Sequence, residues 1–269
     1  SVGAAQAAEI ESNNGNGNIE VTPTQGGDDS YILNGSEGPA GPWTAVFRNA
    51  ASLTGDGEDV VTVEDPDHRI ENYAVLDGGS NDDGIRLKSD IDIIVNHSGA
   101  AIRGKRGIND DGDDHIANIE NFGYIIGLDG YGIRVSGDDS SIINGDDLGN
   151  TPGSIVSMDD SGIRAKDLLD VFNRFESMIK GSDQGIEADD DLRVHNYGTI
   201  IGEGDHAIEA EEGLGLANID TGVIQSLDGD GIKAGSFGYI GNGGTIRGSD
   251  RGIEADDNLL VDNSGTIIG

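Results

Sequence analysis

A Gly-Ile or Ala-Ile step recurs with its Ile at 85, 108, 133, 163, 186, 208, 232 and 253, at intervals averaging 24 residues. Self-similarity at this period constrains the fold more than any local motif. One unit is too small to bury its own apolar face, so neighbouring units must stack. Before most of these steps stands a second motif: ENFGYIIG at 120–127, HNYGTIIG at 195–202, GNGGTIRG at 241–248 and DNSGTIIG at 262–269, with looser copies at 71–78 and 220–226. After most steps come an acidic turn and an apolar run such as Leu192-Arg193-Val194. Each unit thus holds three apolar runs, all too short for helices and separated by Gly, Asp, Asn and Ser turn formers. The pattern predicts an all-β chain, a right-handed parallel β-helix (β-solenoid) of about 8–9 coils of ~24 residues, with three short strands per coil stacked at ~4.8 Å. Sandwiches and barrels require longer strands and hairpin turns without this echo, and the leucine-rich signature is missing.

Stacking gives each column a meaning. The recurring Ile and the residues two further on (Leu87, Val135, Ala165, Ala188, Ala210, Ala234, Ala255) are expected to point inward. The residues between them, Arg86, Asn109, Arg134, Arg164, Glu187, Glu209, Lys233 and Glu254, are expected to face outward, with Arg164 beside Glu187 and Lys233 between Glu209 and Glu254. Asn72, Asn121, Asn196, Asp220, Asn242 and Asn263 begin the second motif and predict side-chain hydrogen bonds from coil to coil. The Gly two residues later (123, 198, 222, 244, 265) is expected to serve turns with positive φ.

Aromatic residues make up 4% of the chain, so the core must be aliphatic. With 51 acidic against 16 basic residues, the net charge of −35 disfavours nucleic acid and anionic membrane surfaces. No apolar run reaches the ~18 residues of a membrane helix, so no membrane insertion of this segment is expected. The absence of Cys excludes disulfides and thiolate chemistry. Residues 1–40 read as a flexible acidic and polar N-terminal arm. Residues 41–59 read as an N-terminal cap plugged by Trp43 and Phe47, and 60–269 as the β-helix, its C-terminus uncapped or truncated. The 30-residue interval between Ile133 and Ile163 predicts a protruding loop near Asp146–Pro152. The bulky stretch 168–181 reads as a fatter coil or a short helix.

Two sets of side chains are site candidates. Arg86, Lys88, Arg103, Lys105 and Arg106 form a basic island, and Arg86, Lys88, Arg103 and Lys105, with Arg134 and Arg164, suit an acidic ligand; surface charge balancing explains them equally well. Asp110, Asp111, Asp113, Asp189, Asp190, Asp191, Asp256 and Asp257 recur at turns, where stacked carboxylates invite Ca²⁺; solvated turn formers are the alternative. The five His show no ligand spacing, no nucleophile motif occurs, and no catalytic residue is assigned.

The repeat N-x-G-T-I-x-G, followed by G-I-x-A and L-x-V-x-N, resembles the degenerate repeats of bacterial autotransporter passenger domains and, more loosely, the pectin-lyase-like β-helices. The resemblance covers roughly 60–269, most closely 185–212 and 241–269. It implies a secreted or surface-displayed protein of a Gram-negative bacterium, an adhesin, spacer or matrix component. Extracellular polysaccharide or a host or neighbouring cell surface is the implied partner, with self-association through the β-helix ends. The alternative it implies is a polysaccharide lyase, hydrolase or epimerase, a class that often uses Ca²⁺.

Overall fold

The computed structural model describes strands at residues 8–11, 18–21 and 31–34, and the chain from 46 to 269 apart from 51, 56, 65–67 and 113–115. The described chain contains no helix. Its short strands form three parallel sheets of 11, 11 and 10 strands, and from Tyr31–Asn34 onward strands three apart in sequence are neighbours in each sheet. This is a right-handed parallel β-helix with three strands per coil. A representative coil runs through Ile186–Ala188 in the first sheet, Leu192–Asn196 in the second and Thr199–Gly202 in the third. Nine such coils start at residues 61, 85, 108, 133, 163, 186, 208, 232 and 253. The parallel pairing also begins earlier than the expected start at residue 60. Strands 8–11 and 31–34 lead into the first sheet, and 18–21 and 46–49 into the second.

The stack is held in register by identical neighbours. Ile163, Ile186, Ile208, Ile232 and Ile253 pair directly, as do Ala165, Ala188, Ala210, Ala234 and Ala255. From Ile85 to Ile232 the Ile column is fully buried. Parallel columns line the other two sheets, with Ile119, Ile142, Val171 and Val194 in the second and Ile125, Ile155, Ile179 and Ile200 in the third, all buried. Full burial of one such side chain contributes about 1.5–3 kcal/mol. A one-residue slip would turn a whole column outward, so the aliphatic set also enforces register. Phe47 does not plug an end; it is a fully buried member of the second sheet, stacked on Ile70. Trp43 lies outside the described residues.

From Val46–Asn49 onward, the last residue of each second-sheet strand is Asn, and its side chain is directed into the turn toward the third sheet. Ten of them, Asn49, Asn72, Asn96, Asn121, Asn144, Asn173, Asn196, Asn218, Asn242 and Asn263, form one unbroken ladder. Each Nδ2 donates to the Oδ1 of the next at 2.7–2.9 Å. Most also donate to a backbone carbonyl of the following coil, as Asn121 does to Ser154 and Asn196 to Val223. Burial makes these bonds obligatory, because an amide without partners there costs about 1–3 kcal/mol.

The ladder corrects two expectations. Asp220 is not a rung; the chain reaches the register position two residues earlier, at Asn218, and Asp220 takes φ 45° in a longer turn. The Gly at 123, 198, 222, 244 and 265 are not in the positive-φ region. They are required by crowding: a Cβ on Gly123 would lie 2.3 Å from the Ala100 carbonyl oxygen and 2.9 Å from Asn96 Nδ2. The same reason applies at the corner before the first sheet, where a Cβ on Gly107 would lie 2.6 Å from the Gly132 carbonyl oxygen.

The extra residues between Ile133 and Ile163 form the loop 145–153, joining Ser140–Asn144 to Ser154–Ser157, with Leu148 82% exposed at its tip. Stretch 168–181 is a regular coil, Leu169–Asn173 and Met178–Gly181, with Phe172 and Phe175 directed outward. Its bulk lies on the surface and leaves the core unchanged.

Candidate functional site

Phe47 is the only described aromatic side chain buried inside the solenoid. Tyr73, Tyr124, Phe175, Phe237 and Tyr239 are exposed, and Phe122, Tyr131, Phe172 and Tyr197 are half-buried on the outer surface. An aliphatic ladder repeating every ~4.8 Å has little room for a ring, whereas outward positions carry no such restriction. Tyr73, Phe122, Phe175 and Tyr197 lie in turns that follow second-sheet strands, Phe237 in the turn before one, Tyr124 in the third sheet and Tyr131 before the first; Phe172 and Tyr239 stand on the second sheet itself.

There, alternating outward positions form two columns. One runs Asp170, Arg193, Gly215, Tyr239, Leu260; the other runs Phe172, His195, Ala217, Gly241, Asp262. The Phe172 and His195 rings stack with centroids 4.9 Å apart and planes 7° from parallel. The Arg174 guanidinium covers the Phe172 ring at 5.2 Å and is anchored by Asp147 of the protruding loop at 2.9 Å. One coil further on, Gly215 and Ala217 leave the sheet nearly bare. Beyond them the Tyr239 ring lies across Gly241, about where a Cβ would meet it at 3.6 Å.

The result is a groove of 560 Å³, floored by Gly215 and Ala217 and walled by His195, Arg193, Phe237 and Tyr239, with Asp191 at its rim. Phe237 is 69% exposed and adopts φ 53°, a conformation rare for a bulky residue and found where surroundings or function impose it. Arg193 is 3.5 Å from Asp170, and with Asp191 also in the lining the groove carries a small net negative charge.

A second polar feature follows the corner into the first sheet. Asp83, Arg106, Tyr131, Ser161, Gln184, His206, Asp230 and Arg251 occupy equivalent positions two residues before the inward Ile. Arg106 Nε donates to Asp83 at 3.0 Å, and the single Ser161 hydroxyl proton is shared between two acceptors, Glu187 Oε2 at 2.9 Å and Gln184 Oε1 at 3.1 Å. Gln184 then donates to Glu209 at 3.1 Å. Burial pushes the Asp83 and Glu187 carboxyls up, against the pull of Arg106 and Arg164. At Glu209 burial also acts upward, but hydrogen bonds from Lys233 and Gln184 outweigh it and hold the carboxyl low.

Two of the expected cross-coil pairs form, with Arg164 3.5 Å from Glu187 and Lys233 2.6 Å from Glu209, whereas Glu254 adjoins Lys233 in the register but is ion-paired with Arg251. Asn109 departs from its expected outward exposure. It is buried and donates to Asp83 at 2.8 Å.

The basic residues singled out from sequence do not share one face. Arg86 and Lys88 extend from the first sheet and Arg103 from the third. Arg86 bonds Asp59 and Asp111, Lys88 bonds Glu64, and Arg103 bonds Asp77. Arg164 is also held by Asp189 at 2.6 Å. Lys105 and Arg134 have no ion pair among the described residues. Arg134 adjoins Arg164 in the register, one coil beyond Asn109.

The acidic turns are similarly committed. Asp110 is buried and accepts from the Gly112 and Ser136 amides. Asp111 and Asp189 are bound to arginines, while Asp190 and Asp191 are exposed on one turn and Asp256 and Asp257 on another, three coils away. Asp113 lies outside the described residues. None of the others belongs to a group of three converging ligand atoms among the described residues. Such a group does occur at Asp205, His206 and Glu209, within 4.8 Å of one another. It suits a cation poorly. His206 Nδ1 accepts the Asp230 amide at 3.1 Å, which places the imidazole proton on Nε2, the nitrogen that faces Asp205 at 3.1 Å. Glu209 already binds Lys233.

Sequence reasoning missed His195, Arg193, Phe237 and Tyr239. The available signal was the outward register of the second sheet, in which small residues at 215 and 217 interrupt a run of large ones.

Fold and surface together define a parallel β-helix with a rigid aliphatic interior and a shallow aromatic groove on one flank. The chain matches no protein family model, no curated protein and no solved structure.

Proposed function

We propose that this chain is the rod of a secreted or surface-displayed bacterial protein of the autotransporter-passenger kind, and that it acts as an adhesin or matrix component by holding extracellular glycan along its second-sheet flank. The observation that carries this reading is the segregation of aromatic side chains. The interior uses one among the described residues, while the flank presents stacked and exposed rings beside bare glycine and alanine. Aromatic faces with polar edges suit ligands that are apolar on one side and wet on the other. The charge of −35 favours uncharged polymers over polyanionic ones.

Retention of the full chain on insoluble neutral polysaccharides, with release of reducing ends measured in parallel, tests the reading. Retention without turnover is the expected result. Absence of retention on all polymers overturns it, and turnover would establish the lyase or hydrolase alternative instead.

A further inference from the structure

The Arg174–Phe172–His195 stack runs along the rod axis and stops at Ala217. Successive rings are spaced by the coil repeat, with 4.9 Å between Phe172 and His195. The next position in that column holds only a methyl group, and the one after it is Gly241 beneath the Tyr239 ring. His195 and Gly241 are therefore two coils apart, roughly 9–10 Å. That leaves one ring thickness of space at Ala217, with a ring face on one side and the Tyr239 ring on the other.

Resting on the reading of the chain as a glycan-binding surface protein, we propose that this interrupted stack is a subsite for one uncharged pyranose ring of an extended glycan, seated over Gly215 and Ala217 between His195 and Tyr239.

The chemistry of the walls selects the occupant. A pyranose has C–H faces that pack on aromatic rings and hydroxyl edges that need hydrogen-bonding partners. Arg193, 57% exposed, the Asp191 carboxylate and the Tyr239 hydroxyl stand at the groove to meet those edges. Charge excludes acidic sugars. The one guanidinium in the groove is already offset by Asp170, and Asp191 lies on the same rim, so a uronate would meet uncompensated like charge. Phe237, exposed at the far wall, extends the contact to a neighbouring ring of the chain.

The test is titration of the full chain with cellohexaose and mannohexaose, and with hexagalacturonate of the same length, following the ring resonances of His195 and Tyr239. At least one neutral hexaose is expected to shift both, with hexagalacturonate at least about tenfold weaker. Ala217→Phe continues the stack and fills the gap; it is expected to abolish the shifts while leaving circular dichroism unchanged. Tyr239→Ala removes one wall and is expected to weaken binding by about tenfold, the equivalent of one aromatic contact.

Neutral hexaoses that leave both rings unmoved overturn the proposal, as does undiminished binding by Ala217→Phe. A parent dimer that Ala217→Phe converts to monomer in light scattering also overturns it, since the groove would then be a contact between copies. Retention of both parent and Ala217→Phe on polysaccharide would leave the adhesin reading standing and remove this subsite; loss of retention by the parent would remove both.

Discussion

Asn173 is the middle of the amide ladder, and its removal measures what the ladder contributes. Its Oδ1 accepts from Asn144 at 2.9 Å, and its Nδ2 donates to Asn196 Oδ1 at 2.8 Å and to the Thr199 carbonyl at 3.1 Å. The side chain is fully buried, so water cannot replace these bonds. Asn173→Ala deletes three hydrogen bonds at about 1 kcal/mol each and leaves buried partners only partly satisfied. The expected loss is about 3–5 kcal/mol. At about 2–4 °C per kcal/mol for a chain of this size, the melting temperature should fall by roughly 10 °C.

Asn263 is exposed in the last coil and accepts one rung bond, from Asn242 at 2.7 Å, so Asn263→Ala should cost about 1 kcal/mol or less. Far-UV circular dichroism against temperature and urea, on both variants and the parent, reads the difference. Equal losses at the two positions, or a loss under 1 kcal/mol at Asn173, would refute the claim that buried amide continuity holds the coils together.

Other outcomes follow from the same structure. Ile163→Ala opens a cavity in a column with fully buried neighbours and should cost about 2–5 kcal/mol by urea denaturation, against under 0.5 kcal/mol for Met158→Ala on the surface. Burial pushes the Glu71 carboxyl up, but hydrogen bonds from Arg69, Arg48 and Tyr73 prevail and hold it at about 2, below its ordinary 4.5. A lowered carboxyl stabilises the fold above pH 4.5 and loses that contribution as pH falls toward 2. The stability gap between parent and Glu71→Gln should therefore be about 1–2 kcal/mol at neutral pH, allowing for screening of the half-exposed arginines, and should close in that window. Because the acidic turns do not converge on a common centre, millimolar Ca²⁺ and Mg²⁺ should raise the melting temperature equally; a rise specific to Ca²⁺, or Ca²⁺-driven assembly in light scattering, would establish calcium sites instead.

The period, the three runs per unit and the inward Ile column were legible because stacking in parallel register makes sequence distance equal to spatial order. Ile163 and Ile186 are neighbours in space because one repeat separates them. The same logic placed Arg164 beside Glu187. It failed at Asp220, where a longer turn moved the rung to Asn218, and it missed Asn49, Asn96, Asn144 and Asn173, whose surroundings lack the second motif's Gly-Thr-Ile pattern. A ladder position is defined by the hydrogen bond it makes across coils, and motif spelling is only one way to reach it.

The groove was not legible because its elements come from three coils, Asp191 to His195, Gly213 to Ala217 and Phe237 to Tyr239, and none carries a motif. By itself the sequence determined the solenoid, its aliphatic interior and its acidity, since these are periodic or additive properties. Only the tertiary structure decided which outward side chains share a flank. That depends on strand phase and turn length coil by coil, which set whether a small residue is an unremarkable surface position or the open place in a stack of rings.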